Sequence, residues 1–172
     1  RYLNGVVYDF LRSELETERR HVLIVGDMNE EPFGLLEERF HASRDRASAR
    51  RREHYTDQDT KRVRLYNCAW RWLGESGPHV GGTPAGEVAG TYFWREKNCW
   101  RTLDHVLVNG TLLTDQFPYL DESRVEVVTG PFLLGTKGRP QKFEWNNGKP
   151  TGVSDHLPIR GRVVLAREES HD

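Results

Sequence analysis

The sequence predicts an α/β fold built as one domain, and three observations carry that prediction. An amphipathic stripe runs through residues 3–15, a short apolar run, HVLIVGD, follows and stops at Gly26 and Asp27, and further β-rich runs come later between Gly- and Pro-rich connections. A helix followed by a buried strand is the alternation from which helix-covered sheets are made. At 172 residues the chain has room for one ordinary core, since domains commonly span about 100 to 200 residues.

Taken in order, Leu3, Val6, Val7, Phe10, Leu11 and Leu15 recur at intervals of three and four, which places one apolar face on a helix that packs on a sheet. HVLIVGD (21–27) reads as a strand buried on both faces that ends at a functional edge. EEPFGLLEERF (30–40) predicts a second helix through Phe33, Leu36 and Phe40, with Gly34 weakening its start. SRDRASARRREH (43–54) gathers Arg44, Arg46, Arg50, Arg51 and Arg52 in a loop or a solvated helix. LYNCAWRWL (65–73) has helical spacing that assigns Trp70 or Trp72 to the core. GTYFW (90–94), TLDHVLVN (102–109), RVEVVTG (124–130) and IRGRVVLA (159–166) are strands by their β-branched and aromatic content, and residues 135–152 form a turn-rich connection. Residues 167–172 are a disordered tail.

Composition narrows the partners. Hydrophobic residues make up 36% and charged residues 30% of the chain, so the surface is polar and the core modest, while a net charge of -1 supplies no global field toward nucleic acid or an anionic membrane. Cys68 and Cys99 lack the spacing of a metal site or a disulfide framework and read as free thiols. No apolar run of membrane-spanning length and no signal peptide are visible within these residues. The chain opens on Arg1 and its one Met is Met28, so residues upstream are expected; localisation stays open, with the cytoplasm favoured.

Polar groups collect at three strand ends: Asp27 and Asn29 in VGDMNEEP, Asp104 in RTLDHVLVN, and Asp155 with His156 in GVSDHLP. Strand ends are where sites form in sheets of this class. GDMN by itself is equally a strand-to-helix turn, and SDH equally a surface turn. Asp104 is different, because a carboxylate among Leu and Val costs several kcal/mol if buried unpaired. His156 is the partner the sequence offers. His105, on an alternating strand, points away from Asp104 and reads as structural.

In order and spacing, GDMNEEP, GTYFWREKNCWRTLDHVLV and GVSDHLPI resemble the C-terminal half of the endonuclease/exonuclease/phosphatase superfamily. The resemblance covers residues 1 to about 166. It implies a mixed, mainly antiparallel sheet flanked by helices, one lobe of a four-layer sandwich, with the other lobe supplied upstream of Arg1 and the isolated lobe inactive. It implies hydrolysis of a phosphate ester by in-line attack of water. Asp27 would position or deprotonate that water, Asn29 would orient the water or the phosphate, and His156, held in one tautomer by Asp104, would face a non-bridging phosphate oxygen. Asp155 would help hold Mg²⁺ or Mn²⁺, and Trp100 or Arg101 would meet substrate, although one extra residue stands between Trp100 and Asp104. The chemistry agrees: phosphate hydrolysis asks for an oriented water, neutralised charge and a hard cation on oxygen ligands.

The substrate class stays open among nucleic acid, phospholipid and inositol phosphate. The Arg run could contact phosphates or be a solvated insertion blunted by Glu53, Asp57 and Asp59, and Trp70, Trp72, Trp94, Trp100 and Trp145 could stack on bases or fill the core. The alternative to an enzyme is a relative that only binds a phosphorylated ligand or a partner lobe. An unrelated module with chance Asp-His turns would place Asp27, Asp104 and His156 more than about 10 Å apart.

Overall fold

The computed structural model describes residues 21–51, 54–57, 60–73, 79–80, 88–135 and 137–166. The amphipathic stripe at 3–15 and the tail at 167–172 lie outside these residues. The described strands are β1 (Leu23–Asp27), β2 (Ala42–Ser43), β3 (His54–Asp57), β4 (Thr60–Val63), β5 (Leu65–Asn67), β6 (His79–Val80) and β7 (Tyr92–Trp94). They continue with β8 (Cys99–Arg101), β9 (Asp104–Asn109), β10 (Tyr119–Val128), β11 (Glu144–Asn146), β12 (Lys149–Thr151) and β13 (Ile159–Val164). Two short α-helices, Leu35–Phe40 and Arg46–Arg50, and 3₁₀ turns at Cys68–Trp72 and Gly110–Leu112 complete them. The fold is mostly β, mixed but mainly antiparallel, with few helices, as an α/β or α+β sandwich has.

Strands of two sheets, rather than of one, enclose the core. A four-stranded sheet runs β1-β9-β5-β2 and a three-stranded one β13-β10-β6, with parallel pairs at β2/β5 and β6/β10. Val106 and Val108 of β9 meet Leu120, Val125 and Val127 of β10 in one cluster that also holds Trp72, Leu113 and Leu157. On the other face of the first sheet, Leu36, Ala42, Leu65 and Leu107 form a second, smaller cluster. Alternation along β9 produces this division, because neighbouring residues of a strand point to opposite faces.

β1 corrects the expectation of a strand buried on both faces. It is the edge strand of its sheet, and Leu23 and Val25 are 43% and 53% exposed while Ile24 packs on the smaller cluster. β10 begins five residues before the run that predicted it, because Tyr119, Leu120 and Asp121 pair with β13 ahead of a register shift between Asp121 and Glu126. The connection at 135–152 carries an unexpected hairpin, β11/β12, turned at Asn147 (φ 51°) and Gly148 (φ 75°). Two consecutive positive φ values are what a two-residue hairpin turn requires, and Asn-Gly adopts them most readily.

Within the Arg run, Arg46–Arg50 form a five-residue helix capped by Asp45, whose carboxylate accepts from Ser48 N (3.0 Å) and Ser48 Oγ (2.6 Å); these bonds hold the Asp45 carboxyl below its usual range, and Arg52 lies outside the described residues. Arg46 is committed to Glu122 at 2.6 Å, and Arg44 lies 5.8 Å from the Trp70 ring centroid. The helix sits so close to the turn at Gly110 that a Cβ there would fall 2.1 Å from the Ala49 carbonyl oxygen. Trp72 is fully buried and Trp70 half-buried, which places Trp72 in the core. Cys68 and Cys99 are free thiols, and burial pushes the Cys68 thiol up to about 12, so it stays protonated. Among the described residues no helix is long and apolar enough to cross a membrane.

Candidate active site

The site begins with the register of two strands. β1 and β9 pair so that Asp27 stands opposite Asp104, with Met28 N bonded to Leu103 O at 2.8 Å just beyond. Directly paired residues of an antiparallel ladder share a face, so the register alone brings the two carboxylates together. Gly26, still paired with His105, takes φ 150°, a backbone value that favours glycine. Asn29, at φ 52°, then folds back so that its backbone N donates to Asp27 Oδ1 (2.8 Å) and its Nδ2 to Asp27 Oδ2 (3.3 Å). A left-handed Asn closing a side-chain turn is the ordinary use of this residue, and here the turn orients the Asp27 carboxylate.

The third stretch is anchored through Thr91. Its carbonyl accepts from Leu157 N (2.6 Å), its Oγ1 accepts from Leu103 N (3.1 Å) and Asp104 N (3.2 Å), and its N donates to Arg101 O (2.9 Å). A buried threonine thus ties β8, the start of β9 and the SDH turn to one point. Gly90 beside it allows this approach, since a Cβ there would lie 2.4 Å from the Arg101 carbonyl oxygen. Ser154 Oγ accepts from His156 N (3.0 Å), and the Tyr92 ring flanks the imidazole at 4.9 Å. His156 Nδ1 then donates to Asp104 Oδ2 at 2.8 Å. Nδ1 being engaged, Nε2 is the nitrogen left for a ligand.

Ligand atoms of Asp27, Asp104 and His156 all lie within 4.8 Å of one another. That excludes the scattered arrangement that chance Asp-His turns would produce. An open cleft of about 490 Å³ adjoins them, and Asn29, Glu31, Trp94, Arg101, Asp155 and His156 line it. Arg101 is held toward the cleft by Glu31 (3.3 Å), and its guanidinium lies 5.3 Å from the Trp94 ring centroid. Trp100 is separated from the group: it packs edge-on against Phe93 at 5.3 Å and against the main core. Alternation decides between the two neighbours, because a β8 that sends Arg101 to the cleft must send Trp100 the other way. Asn29, Asp155, His156 and Arg101 therefore line the cleft, the Asp27/Asp104 pair adjoins it through His156, and Trp100 lies on the other face of β8.

Sequence reasoning did not single out Thr91, Tyr92 or Glu31. Tyr92 lies within the aromatic strand GTYFW, but nothing local distinguishes a threonine that bonds three segments. His105 is structural, as read: Nε2 donates to the Glu30 carbonyl (2.7 Å) and Nδ1 accepts from Asn67 Nδ2 (3.1 Å), which ties the turn after β1 to β9 and β5. Burial lowers its pKa below the ordinary 6.5, against the bond to Glu30 and the charges of Asp104 and Asp27, which raise it. Because the unfolded chain binds this proton more readily, stability is complete above pH 6.5 and falls as pH drops through the lowered folded value. Denaturant midpoints measured between pH 7 and pH 5 should decline, and His105→Asn should remove part of that slope; an equal slope in both would show that His105 does not carry it.

Comparison of the chain with protein-family models, with curated proteins and with solved structures found no match.

Proposed function

We propose that this chain carries the catalytic groups of a divalent-metal-dependent phosphoesterase that attacks a phosphorus-oxygen bond with water. The observation that supports it best is the His156–Asp104 couple at 2.8 Å with Asp27 beside it, at the mouth of a cleft that also receives Arg101 and Asp155. A carboxylate fit to orient or deprotonate water, an imidazole whose Nδ1 is engaged and whose Nε2 is left for a ligand, and a guanidinium are the parts that in-line phosphoryl transfer to water needs. Asp27 takes the water, Asn29 keeps its carboxylate oriented, and His156 and Arg101 meet the oxygens of the phosphate.

The clustered donor atoms are carboxylate oxygens of Asp27 and Asp104 with the His156 imidazole, and the cleft adds oxygens of Asn29 and Asp155; a set dominated by hard oxygens fits Mg²⁺ or Mn²⁺ better than a soft thiophilic ion. Such a cation, when bound, neutralises charge on phosphate oxygens. The exposed Leu23 and Val25 on edge strand β1 support the further reading that more chain, upstream of Arg1, completes the sandwich and the site. The test is hydrolysis of duplex DNA, a sphingolipid phosphodiester and inositol polyphosphates by this chain and by a longer one that includes the upstream residues. Activity of the longer chain that EDTA abolishes and excess Mg²⁺ restores is the expected result. Turnover untouched by chelation removes the metal, and no turnover of any substrate leaves a binding protein.

A further inference from the structure

A second pocket, of about 340 Å³, opens beside the β7/β8 hairpin, and Arg95, Gly135, Lys137, Arg139, Pro140 and Gln141 line it. Three cations face it. No carboxylate pairs with any of them among the described residues, whereas Arg46, Arg101 and Arg160 each have one. Arg139 is instead held by neutral groups: its Nη2 donates to Asn98 Oδ1 at 2.8 Å, and its guanidinium lies 4.1 Å from the Phe93 ring centroid. Cations gathered without counter-charge repel one another, and an anion between them removes that cost.

The loop carrying Lys137 and Arg139 is braced. Gly135 N bonds to Arg139 O (2.8 Å), Gly138 N to Gly135 O (2.9 Å), and Gln141 N to Leu133 O (3.1 Å). The Gln141 carbonyl also accepts from Val153 N (2.8 Å) and Ser154 N (3.0 Å), the residues leading into Asp155 and His156. A closed turn therefore presents the cations, and the same turn is joined to the SDH segment. One hairpin serves both sites, since Tyr92, Trp94 and Arg101 line the cleft while Phe93, between them, carries Arg139.

We propose that the pocket of Arg95, Lys137 and Arg139 binds a phosphate group other than the one at the cleft, so that the ligand of this protein carries two or more phosphates. The cavity is far smaller than a folded partner and its charge calls for an oxyanion. The proposal rests on the phosphoesterase reading only in joining the two sites through one ligand; the pocket itself needs no turnover.

Binding of fluorescein-labelled octathymidylate and of inositol hexakisphosphate, measured in EDTA so that no hydrolysis intervenes, tests it. Arg95→Glu/Lys137→Glu is the informative variant, because both side chains are exposed and unpaired among the described residues and leave Arg139 on Phe93. Expected is a loss of tenfold or more in affinity for whichever ligand binds, with the salt slope for the oligonucleotide shallower by about 1.4, roughly 0.7 per phosphate contact. Octathymidylate alone responding assigns a nucleic-acid strand as source of the phosphates, and inositol hexakisphosphate alone responding assigns a small polyphosphate. Equal affinity in the variant and the unsubstituted chain, or no binding of either ligand at low salt, overturns the proposal. Binding that is lost in the variant while no substrate is ever hydrolysed would leave the pocket standing and end the phosphoesterase reading alone.

Discussion

Replacing His156 by Ala is expected to lower metal-dependent phosphodiester hydrolysis by about 1000-fold, the effect of removing one proton-handling or oxyanion-facing group from a site of this kind. Asp104→Asn is expected to cost about 100-fold, the upper end for a group that acts by orienting another. The reason is the 2.8 Å bond from His156 Nδ1 to Asp104 Oδ2: an amide in that position can offer the ring an N–H instead of an acceptor and release or reverse the tautomer. If Asp104 acts through His156, the double variant loses no more than His156→Ala alone. The readout is kcat/KM for bis(4-nitrophenyl) phosphate at fixed Mg²⁺, in the protein containing this chain and its upstream residues. Losses that multiply would show that Asp104 acts on its own account, which its place within 4.8 Å of Asp27 also permits.

The largest effect on stability is expected at Trp72. It is fully buried, in the cluster that joins β9, β10 and the turn at Leu112 and Leu113. Truncating a buried Trp to Ala removes its transfer free energy and leaves a cavity, costing about 3 to 5 kcal/mol, which lowers the unfolding midpoint by on the order of 10 °C for a chain of this size. Trp72→Phe should cost much less, because Trp72 Nε1 is buried without a hydrogen-bond partner among the described residues and its removal relieves a desolvated donor. Thermal unfolding followed by circular dichroism checks both. A loss below about 1 kcal/mol for Trp72→Ala would mean that the two sheets do not depend on this side chain.

Elements whose signal is local were legible. β9 is a continuous Asp-His-Val-Leu-Val-Asn run and appears where its residues predict, and Asp104 was marked for a partner because apolar neighbours leave a carboxylate nothing else to bond. Helical spacing narrows the core tryptophan to Trp70 or Trp72, of which the structure buries Trp72, and alternation makes His105 structural. Elements whose signal is a pairing were not. β10 begins at Tyr119 because β13 reaches it there, and no residue in that stretch announces it. The β11/β12 hairpin carries a local signal in Asn147-Gly148, but Glu144–Asn146 and Lys149–Thr151 lack alternating apolar residues, so the stretch reads as a long connection.

The residue types at the site, their order and their strand-end positions were set by the amino-acid sequence, since bonding needs and periodicity act over a few neighbours. Only the tertiary structure decided that Asp27 faces Asp104, that Arg101 and not Trp100 turns to the cleft, and that Thr91 gathers three segments. Those outcomes depend on strand register and on which side of a hairpin meets the core. Shifting a strand by one residue reverses every side chain while leaving local preferences almost unchanged, so such choices are made by packing between distant parts of the chain.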